Sequence, residues 1–346
     1  MSTAGPVLIG LPGHDLDEEG RRRLAHPAVG GVVLFQRNFK DLEQLQRLVD
    51  DIRRATDPRP LIGIDQEGGR VQRLEGEGFT RLPPLGVLGR LHAVDPVKAL
   101  DMAYRHGRVM ATEILACGID LSFAPVLDLD RGSRVIGDRA FGAAPDMIST
   151  LGRSYLAGMR DAGMKSTGKH FPGHGSVVAD SHVDDVTDPR PLAEIRETDL
   201  VPFRQLMPEL DAMMAAHVLY PSVDSLPAGY SSTWLRDILR GELGFEGVVV
   251  SDDLGMHAAK TMGGVRQRVA ACLGAGCDLV LVCHPEDIDS LLADRALEWG
   301  DASSVIGRLY GAPTVDRGEL AEVVREGIRE WGYWRQSLER LGESWA

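Results

Sequence analysis

The sequence predicts an α/β fold, a single (β/α)8 TIM-like barrel with extra helices at its C-terminal end. Eight short runs rich in valine, isoleucine and leucine recur along the chain, and amphipathic helical patterns lie between most of them. Continuous apolar strands that alternate with amphipathic helices are typical of a parallel sheet covered by helices, and eight such units close a barrel. The 346 residues contain no internal repeat and no Pro/Ser-rich linker. We therefore expect one barrel domain over residues 1–346, with a C-terminal helical extension from about 286 to 346.

The predicted strands are short apolar runs, each bounded by turn residues or by a helical pattern. They are VLIG (7–10), GVVLF (31–35), LIGID (61–65), LSFAPVLDL (121–129), MKST (164–167), AMMAAHV (212–218), GVVVSD (247–252) and CDLVLVC (277–283). Active sites of such barrels lie at the C-terminal ends of the strands, so the residues that follow these runs are the first candidates for function.

The helices between the strands are indicated by apolar residues at three- and four-residue steps, as in 42–52 and 148–159. Asp95 followed by Pro96 predicts a helix N-cap with proline at the first helical position, and Gly163 predicts the C-cap of the 148–159 helix. A C-terminal helical stretch follows at 323–341. We expect its aromatic side chains to pack on the outside of the barrel rather than to bind sugar.

The composition excludes several classes of partner. The chain carries 51 acidic and 38 basic residues, a formal net charge of −13, so its overall field repels nucleic acid and anionic membranes. The N-terminus lacks a charged and apolar leader, and no apolar run approaches the ~20 residues that span a bilayer. We expect a cytoplasmic monomer without a cofactor. The four cysteines, Cys117, Cys272, Cys277 and Cys283, are too few and too irregular for a disulfide framework, and we expect them to be reduced.

Polar residues follow several predicted strands at the rim where an active site is expected. Asp65 ends the third run, Asp128 the fourth, Lys169 and His170 follow the fifth, and His217 lies at the end of the sixth. Because separate strands deliver these groups to one edge, solvation alone does not explain them.

The stretch KHFPGHGSVVADSH, residues 169–182, is predicted to be a loop, because Pro172 and two glycines interrupt both helix and strand. Its histidines, with Lys169 and Asp180, indicate a functional loop. Asp180 and His182 are two residues apart, so an extended backbone places both on one side. A carboxylate beside an imidazole orients it and favours its protonated form, as a general acid requires.

Glycoside hydrolysis needs a proton donor and a nucleophile or base on either side of the glycosidic bond. Asp252, at the end of the seventh run, is the best fixed carboxylate for the second role. The alternative is that Asp252 caps the helix after Leu254, but Asp253 can take that role equally well. The sequence therefore favours Asp252 as the catalytic carboxylate.

Five motifs in order resemble the bacterial β-N-acetylhexosaminidases of glycoside hydrolase family 3. They are DQEGGRVQR (65–73), VIGDRAFG (135–142), KHFPGHG (169–175), DSH (180–182) and SDDLGM (251–256). The resemblance extends from the first strand to about residue 285. It departs from the usual pattern at Ser176, where members commonly have an acidic residue, and at Asp184 and Asp185, where they commonly have Leu-Pro.

The resemblance implies a retaining exo-enzyme that removes β-linked N-acetylglucosamine (GlcNAc). The expected substrates are GlcNAc-1,6-anhydro-MurNAc peptides of cell-wall recycling, or chitooligosaccharides. It implies Asp252 as the nucleophile, His182 as the acid/base and Asp180 as its partner. Sugar binding is implied for five residues, Asp65, Arg73, Arg139, Lys169 and His170. Histidine here replaces the second carboxylate of most glycosidases.

Two alternatives come from other classes. His170, His174, His182 and His217 with Asp252 could hold zinc in a metal-dependent barrel hydrolase. The first strand lacks the paired His-x-His of barrel amidohydrolases, and Lys169 would repel a cation, so we expect no metal. A non-catalytic saccharide-binding protein is the second alternative. The aromatic content of 5% is low for a saccharide-binding cleft, which argues against it.

Overall fold

The structure is a computed structural model that describes residues 3–76, 78–177, 186–293, 299–314 and 329–345. Its centre is a sheet of eight parallel strands in the order β6-β3-β2-β1-β10-β9-β8-β7, surrounded by helices. The strands are β1 (Val7–Gly10), β2 (Val29–Leu34), β3 (Leu61–Ile64), β6 (Leu121–Ser122), β7 (Thr167–Phe171), β8 (Ala212–Ala215), β9 (Val248–Asp253) and β10 (Leu279–Val282), and a separate antiparallel hairpin consists of β4 (Gln66–Gly68) and β5 (Val71–Gln72).

The sheet closes on itself between its two outer strands, β6 and β7. Val126, beyond the end of β6, forms a parallel bridge with Lys169 of β7. The amide of Leu127 donates to the carbonyl oxygen of Lys169 at 2.7 Å, and the amide of Thr167 donates to that of Ala124 at 2.8 Å. Closure by eight parallel strands confirms the predicted TIM-like barrel.

The helices cover the outer face of this barrel. They are α1 (Glu18–Leu24), α2 (Leu42–Ala55), α3 (Leu85–His92), α4 (Pro96–Ala116), α5 (Pro145–Ala162), α6 (Leu192–Glu197), α7 (Leu200–Leu206), α8 (Val265–Ala275), α9 (Pro285–Leu292), α10 (Ser303–Gly307) and α11 (Arg329–Ser344), with a π-helix at Thr233–Glu242. None of the helices in the described ranges is long and apolar enough to cross a bilayer.

The predicted helix ends are confirmed. The side chain of Asp95 accepts a hydrogen bond from the amide of Lys98 at the start of α4, with Pro96 at the first helical position. Gly163 ends α5 with a φ of 87°, in the left-handed region that glycine adopts without a steric penalty. The four cysteines are buried thiols, as the sequence predicts. The single-domain assignment for residues 1–346 stays a prediction.

Two strand predictions need correction. The run MKST (164–167) is not the fifth strand, because β7 begins at its last residue and continues through Phe171. Lys169 and His170 therefore lie in a strand and not in the predicted loop. Only Leu121–Ser122 of the run LSFAPVLDL forms a strand, and beyond it only Val126 forms an isolated bridge, with Lys169. The strand β7 was not recognised because Lys169 and His170 interrupt its apolar pattern. These polar side chains can be buried in a strand because carboxylates from other segments of the chain pair with them.

The C-terminal helix α11 packs on the outside of the barrel. Trp334 contacts Tyr104 of α4 edge-on at 6.3 Å between ring centroids, in agreement with the expected packing role. Arg335 donates from Nε to the Thr80 hydroxyl at 2.7 Å and lies 3.4 Å from the buried carboxylate of Glu113. This connects the end of the chain to the segment that follows the β4–β5 hairpin.

Candidate active site

A pocket of about 710 Å³ opens at the C-terminal ends of the strands. It is lined by the polar residues that the sequence places at this rim: Asp65, Arg73, Arg139, Lys169, His170 and Asp252. The structure therefore brings together all the predicted site residues that lie in its described part, from five separate segments of the chain. This location agrees with the general position of active sites in such barrels.

Asp252 and Asp253 are neighbours with different environments. The carboxylate of Asp253 accepts hydrogen bonds from the amides of Gly255 at 3.0 Å and Cys283 at 3.2 Å, so it holds the turn after β9. Asp252 accepts only the amide of Asp253 from the residues that the structure describes, at 2.9 Å, and it lines the pocket. Asp253 thus takes the structural role that sequence alone left open between the two.

Asp252 is held in its ionised form. Burial favours the neutral acid, but the imidazoles of His170 and His217 and the amide of Asp253 outweigh it, and the pKa of Asp252 is lowered. His217 contributes from the end of β8, where its Nε2 lies 3.2 Å from the carbonyl oxygen of Asp252 and its ring stacks on Tyr230. Burial opposes the charge of His217 itself and lowers its pKa.

Four charged side chains form a network at the floor of the pocket. The Nζ of Lys169 lies 2.8 Å from Asp65 and 2.6 Å from Glu67. Arg139 donates from Nε and Nη2 to the two oxygens of Glu67, both at 2.8 Å. The side chain of Lys169 is 1% exposed and that of Glu67 is 2% exposed, so these charges are stable only as a set.

The pKa values within this network follow from the pairing. Burial favours neutral Glu67, but Arg139 and Lys169 outweigh it and hold the pKa of Glu67 well below its usual range. Burial likewise opposes the charge of Lys169, but Asp65 and Glu67 raise its pKa. Because this pairing favours the charged forms of Glu67 and Lys169, the floor presents fixed hydrogen-bond donors and acceptors to a ligand.

The β4–β5 hairpin positions Arg73. The side-chain oxygen of Gln66, in the strand that leaves Asp65, accepts the amide of Arg73 at 2.9 Å. The guanidinium of Arg73 then lies 3.6 Å from Asp65 and 5.9 Å from the ring centroid of Phe35. The hairpin therefore brings Arg73 back to the carboxylate eight residues before it, a return that sequence spacing did not reveal.

His170 is oriented by a buried carboxylate. Its Nδ1 lies 2.6 Å from Oδ2 of Asp128, and its amide also donates to that carboxylate at 3.2 Å. The amide of His174 donates to the other oxygen at 2.7 Å. Burial opposes the ionisation of Asp128, but His170 and the amide of His174 outweigh it and lower its pKa. Asp128 is fully buried, so it orients other residues instead of contacting a ligand.

Asp180 and His182, the predicted acid/base pair, lie outside the described residues. The chain on either side of residues 178–185 is fixed by one carboxylate, that of Asp199. The hydroxyl of Ser176 donates to it at 3.2 Å, and Arg190 donates to it at 2.8 Å. Ser176 thus has a local partner at the position where the resemblance expects an acidic residue. The departures at Asp184 and Asp185 also lie outside the described residues.

Sequence reasoning missed several residues of the site. Glu67 lies within the quoted motif DQEGGRVQR, and the only signal for its role was its position two residues after Asp65. Asp128 was identified at the rim but not as the partner of His170. Three exposed cations at the pocket mouth were also missed: Arg70, which lies within the motif DQEGGRVQR, and Arg134 and Lys260, which lie outside the quoted motifs.

The zinc alternative finds no cluster of ligands. Within the described ranges, no group of three histidine, cysteine, aspartate or glutamate side chains is arranged to hold a metal ion. The Nδ1 of His170 is engaged by Asp128, and the charged amine of Lys169 lies next to His170 in β7. His182 lies outside the described residues, so the ligand set proposed for zinc is described only in part.

Comparisons with known proteins give a consistent result. A model of the glycosyl hydrolase family 3 N terminal domain matches residues 8–302. A protein of Alkalilimnicola ehrlichii named beta-hexosaminidase is 53% identical over 317 residues, which are 90% of this chain and 90% of that protein. The crystal structure of NagZ from Neisseria gonorrhoeae in complex with N-trifluoroacetyl-D-glucosamine has a TM-score of 0.89 at 42% identity and covers 98% of both chains. The same Neisseria protein in complex with zinc ion has a TM-score of 0.88 at 41% identity.

Proposed function

Because the chain belongs to glycosyl hydrolase family 3 and is a β-N-acetylhexosaminidase of the bacterial type, we propose that it is a retaining exo-β-N-acetylglucosaminidase of cell-wall recycling. The proposed natural substrate is GlcNAc-1,6-anhydro-MurNAc, with or without its peptide. The observation that carries the proposal is the carboxylate of Asp252, whose pKa is lowered, in a pocket that is also lined by Lys169, Arg139 and Arg73. Since the chain is a glycoside hydrolase, the alternative of a non-catalytic saccharide-binding protein is rejected.

The pocket floor supports recognition of a single terminal sugar. Asp65 has an exposed fraction of 22% and Arg73 of 27%, so both retain access to a ligand while they remain paired. Charged donors and acceptors of this kind bind sugar hydroxyls with directional hydrogen bonds. Because the floor is closed by the buried pair of Lys169 and Glu67, the sugar enters with its non-reducing end first and the rest of the substrate points to the mouth. Exo-cleavage follows from this geometry.

The proposed reaction has two half-reactions on this scaffold. The carboxylate of Asp252 attacks the anomeric carbon and forms a covalent glycosyl-enzyme, while His182 protonates the departing oxygen. His182 then removes a proton from water, which attacks the same carbon and releases the sugar with its configuration retained. Asp180 orients the imidazole in both steps. The roles of Asp180 and His182 rest on the family resemblance, whereas that of Asp252 also rests on its environment.

We expect strong selectivity for N-acetylated terminal sugars. Hydrolysis of 4-nitrophenyl β-N-acetylglucosaminide should exceed that of 4-nitrophenyl β-glucoside by roughly 10²-fold or more in kcat/KM, because a site built to hydrogen-bond a group rejects an analogue that lacks it. End-labelled chitooligosaccharides should lose GlcNAc units one at a time from the non-reducing end. Equal rates on the glucoside, or early cleavage of internal bonds, would contradict the proposal.

We expect activity to be independent of added metal. The charges of the pocket floor are compensated by one another, with Lys169 and Arg139 in the positions that a cation would otherwise occupy near Asp65 and Glu67. Exhaustive dialysis against EDTA should leave kcat and KM for the chromogenic substrate unchanged. A loss of rate that zinc restores would revive the metal-dependent alternative, whereas inhibition by added zinc would leave the metal-free mechanism in place.

A further inference from the structure

We propose that Arg70, Arg134 and Lys260, here called the mouth cations, bind a carboxylate on the leaving-group side of the substrate. The inference rests on the proposed function, because it concerns the part of the substrate that lies outside the sugar pocket. Apart from Arg37, whose guanidinium donates to the carbonyl oxygens of Leu11 and Cys283, the lysines and arginines that line the pocket fall into two sets, one at the floor and one at the mouth. The two sets differ in burial and in pairing.

The cations of the floor are neutralised by carboxylates. Lys169 and Arg139 are 1% and 9% exposed, and both pair with Glu67 at 2.6 Å and 2.8 Å. Arg73 pairs with Asp65 at 3.6 Å. Each of these three cations is thus in contact with Asp65 or Glu67, and the two carboxylates supply acceptors that make the floor suitable for a neutral sugar.

The cations of the mouth are not neutralised in this way. Arg134 and Lys260 are exposed, and neither forms an ion pair with any residue in the described part of the chain. Arg70 is 51% exposed, and its nearest carboxylate oxygen is that of Asp138 at 3.8 Å. An exposed positive charge beside a substrate pocket is a general means of attracting an anionic ligand.

The mouth cations approach the pocket from different sides. Arg70 lies in the β4–β5 hairpin, and its guanidinium donates to the backbone carbonyl of Val135, which fixes it next to Arg134. Lys260 lies in the segment His257–Met262 that follows β9, the strand that ends in Asp252. Around the barrel, β9 is separated from β6 by β8 and β7, so Lys260 and Arg134 come from strands that are not neighbours.

The positive charge at the mouth contrasts with the negative net charge of the whole protein. A chain with a net charge of −13 repels an anionic substrate at long range. Screening limits that repulsion to about 8 Å at physiological ionic strength, so the local cations determine the sign of the field at the mouth. A carboxylate at the mouth is therefore attracted by the local cations, although the net charge of the protein repels anions.

The test compares substrates that differ only in this charge. One pair is GlcNAc-1,6-anhydro-MurNAc with its free lactyl carboxylate and the methyl ester of that carboxylate. The second pair carries an L-alanyl-D-glutamyl peptide, whose carboxylates are either free or esterified. We expect the wild-type kcat/KM to favour the acid over the ester by roughly 3- to 10-fold at low salt, as two or three exposed ion pairs provide. The preference should disappear in about 1 M salt, where the Debye length is about 3 Å.

The variant Arg70→Gln/Arg134→Gln/Lys260→Gln should abolish the acid-to-ester preference, and Arg70→Glu/Arg134→Glu/Lys260→Glu should reverse it. Lys98→Gln, which removes an exposed cation from α4 outside the pocket lining, is the matched control and should keep the wild-type ratio. A preference in the first substrate pair assigns the carboxylate to the lactyl group, and one confined to the second pair assigns it to the peptide.

Equal rates on acid and ester in the wild-type protein would overturn the inference. A preference that persists in the triple glutamine variant would also overturn it, because the carboxylate would then be recognised elsewhere. In both cases hydrolysis of the esters and of 4-nitrophenyl β-N-acetylglucosaminide would leave the proposed function intact. Failure to cleave any of these compounds would instead overturn the proposed function.

Discussion

Replacing Asp252 by alanine is expected to lower kcat by roughly 10⁴-fold or more on every substrate, the scale observed when one member of a catalytic unit is removed. The reason is that Asp252 supplies the nucleophile, so no leaving group is good enough to compensate for its loss. Stopped-flow and steady-state assays with 4-nitrophenyl and disaccharide substrates measure the effect. Asp252→Asn should behave in the same way, because the amide keeps the size of the side chain but not its nucleophilic charge.

Asp253→Asn is the matched control for this prediction. The carboxylate of Asp253 accepts hydrogen bonds from the amides of Gly255 and Cys283, so its replacement should lower the melting temperature. The loss in kcat should be much smaller than that of the Asp252 variants. A fluorinated GlcNAc analogue with a good leaving group should trap the glycosyl-enzyme, and mass spectrometry of the digest should find the label on Asp252. A label on Asp253 would transfer the nucleophile to that residue and contradict the assignment.

Replacing His182 by alanine should slow disaccharides with a basic leaving oxygen by roughly 10²- to 10⁴-fold, the usual contribution of general acid-base catalysis. A nitrophenolate departs without protonation, so the first step on 4-nitrophenyl β-N-acetylglucosaminide should survive and the glycosyl-enzyme should accumulate. The time course of nitrophenol release should therefore show a burst followed by slow turnover. Azide needs no deprotonation, and it should restore turnover and give the β-glycosyl azide with retained configuration.

Asp180→Asn is the companion to this experiment. It should give a milder form of the same leaving-group dependence, because the imidazole remains but loses its charged partner. If both variants slow good and poor leaving groups equally, and no glycosyl azide forms, then His182 binds substrate and another group donates the proton. His174 would then be the next candidate, since its amide is fixed to Asp128 beside His170.

The barrel could be predicted from sequence because its signals are local. Apolar runs such as VLIG and the caps at Asp95 and Gly163 reflect backbone preferences within a few residues, and they correspond to β1 and to the ends of α4 and α5. Strand β7 could not be predicted in this way. Its Lys169 and His170 are buried only because Asp65 and Asp128, 104 and 42 residues earlier, neutralise or orient them. Long-range charge pairing leaves no trace in a local hydrophobic pattern.

The residues of the site also differ in whether local sequence signals could identify them. The residues at strand ends, Asp65 and Asp252, were identified because the barrel rim predicts where function lies. The roles of Glu67 and Asp128 were missed because each acts through another residue, and a role of that kind depends on which side chains meet after folding. Arg73 and Arg139 were assigned only by resemblance, since a hairpin and a loop bring them to the floor from positions that no periodicity marks.

The fixed position of Lys169 has a thermodynamic consequence for inhibitors. A free lysine side chain loses up to about 2 kcal/mol of rotamer entropy when it is immobilised. Here Asp65 and Glu67, which belong to the protein itself, hold the amine at 2.8 Å and 2.6 Å, so the side chain is already ordered by folding. Affinity for a compound that fills the floor is therefore not reduced by the ordering of this side chain. Rigid sugar mimics, which also lose little freedom of their own, are the class of inhibitor that such a preorganised floor favours.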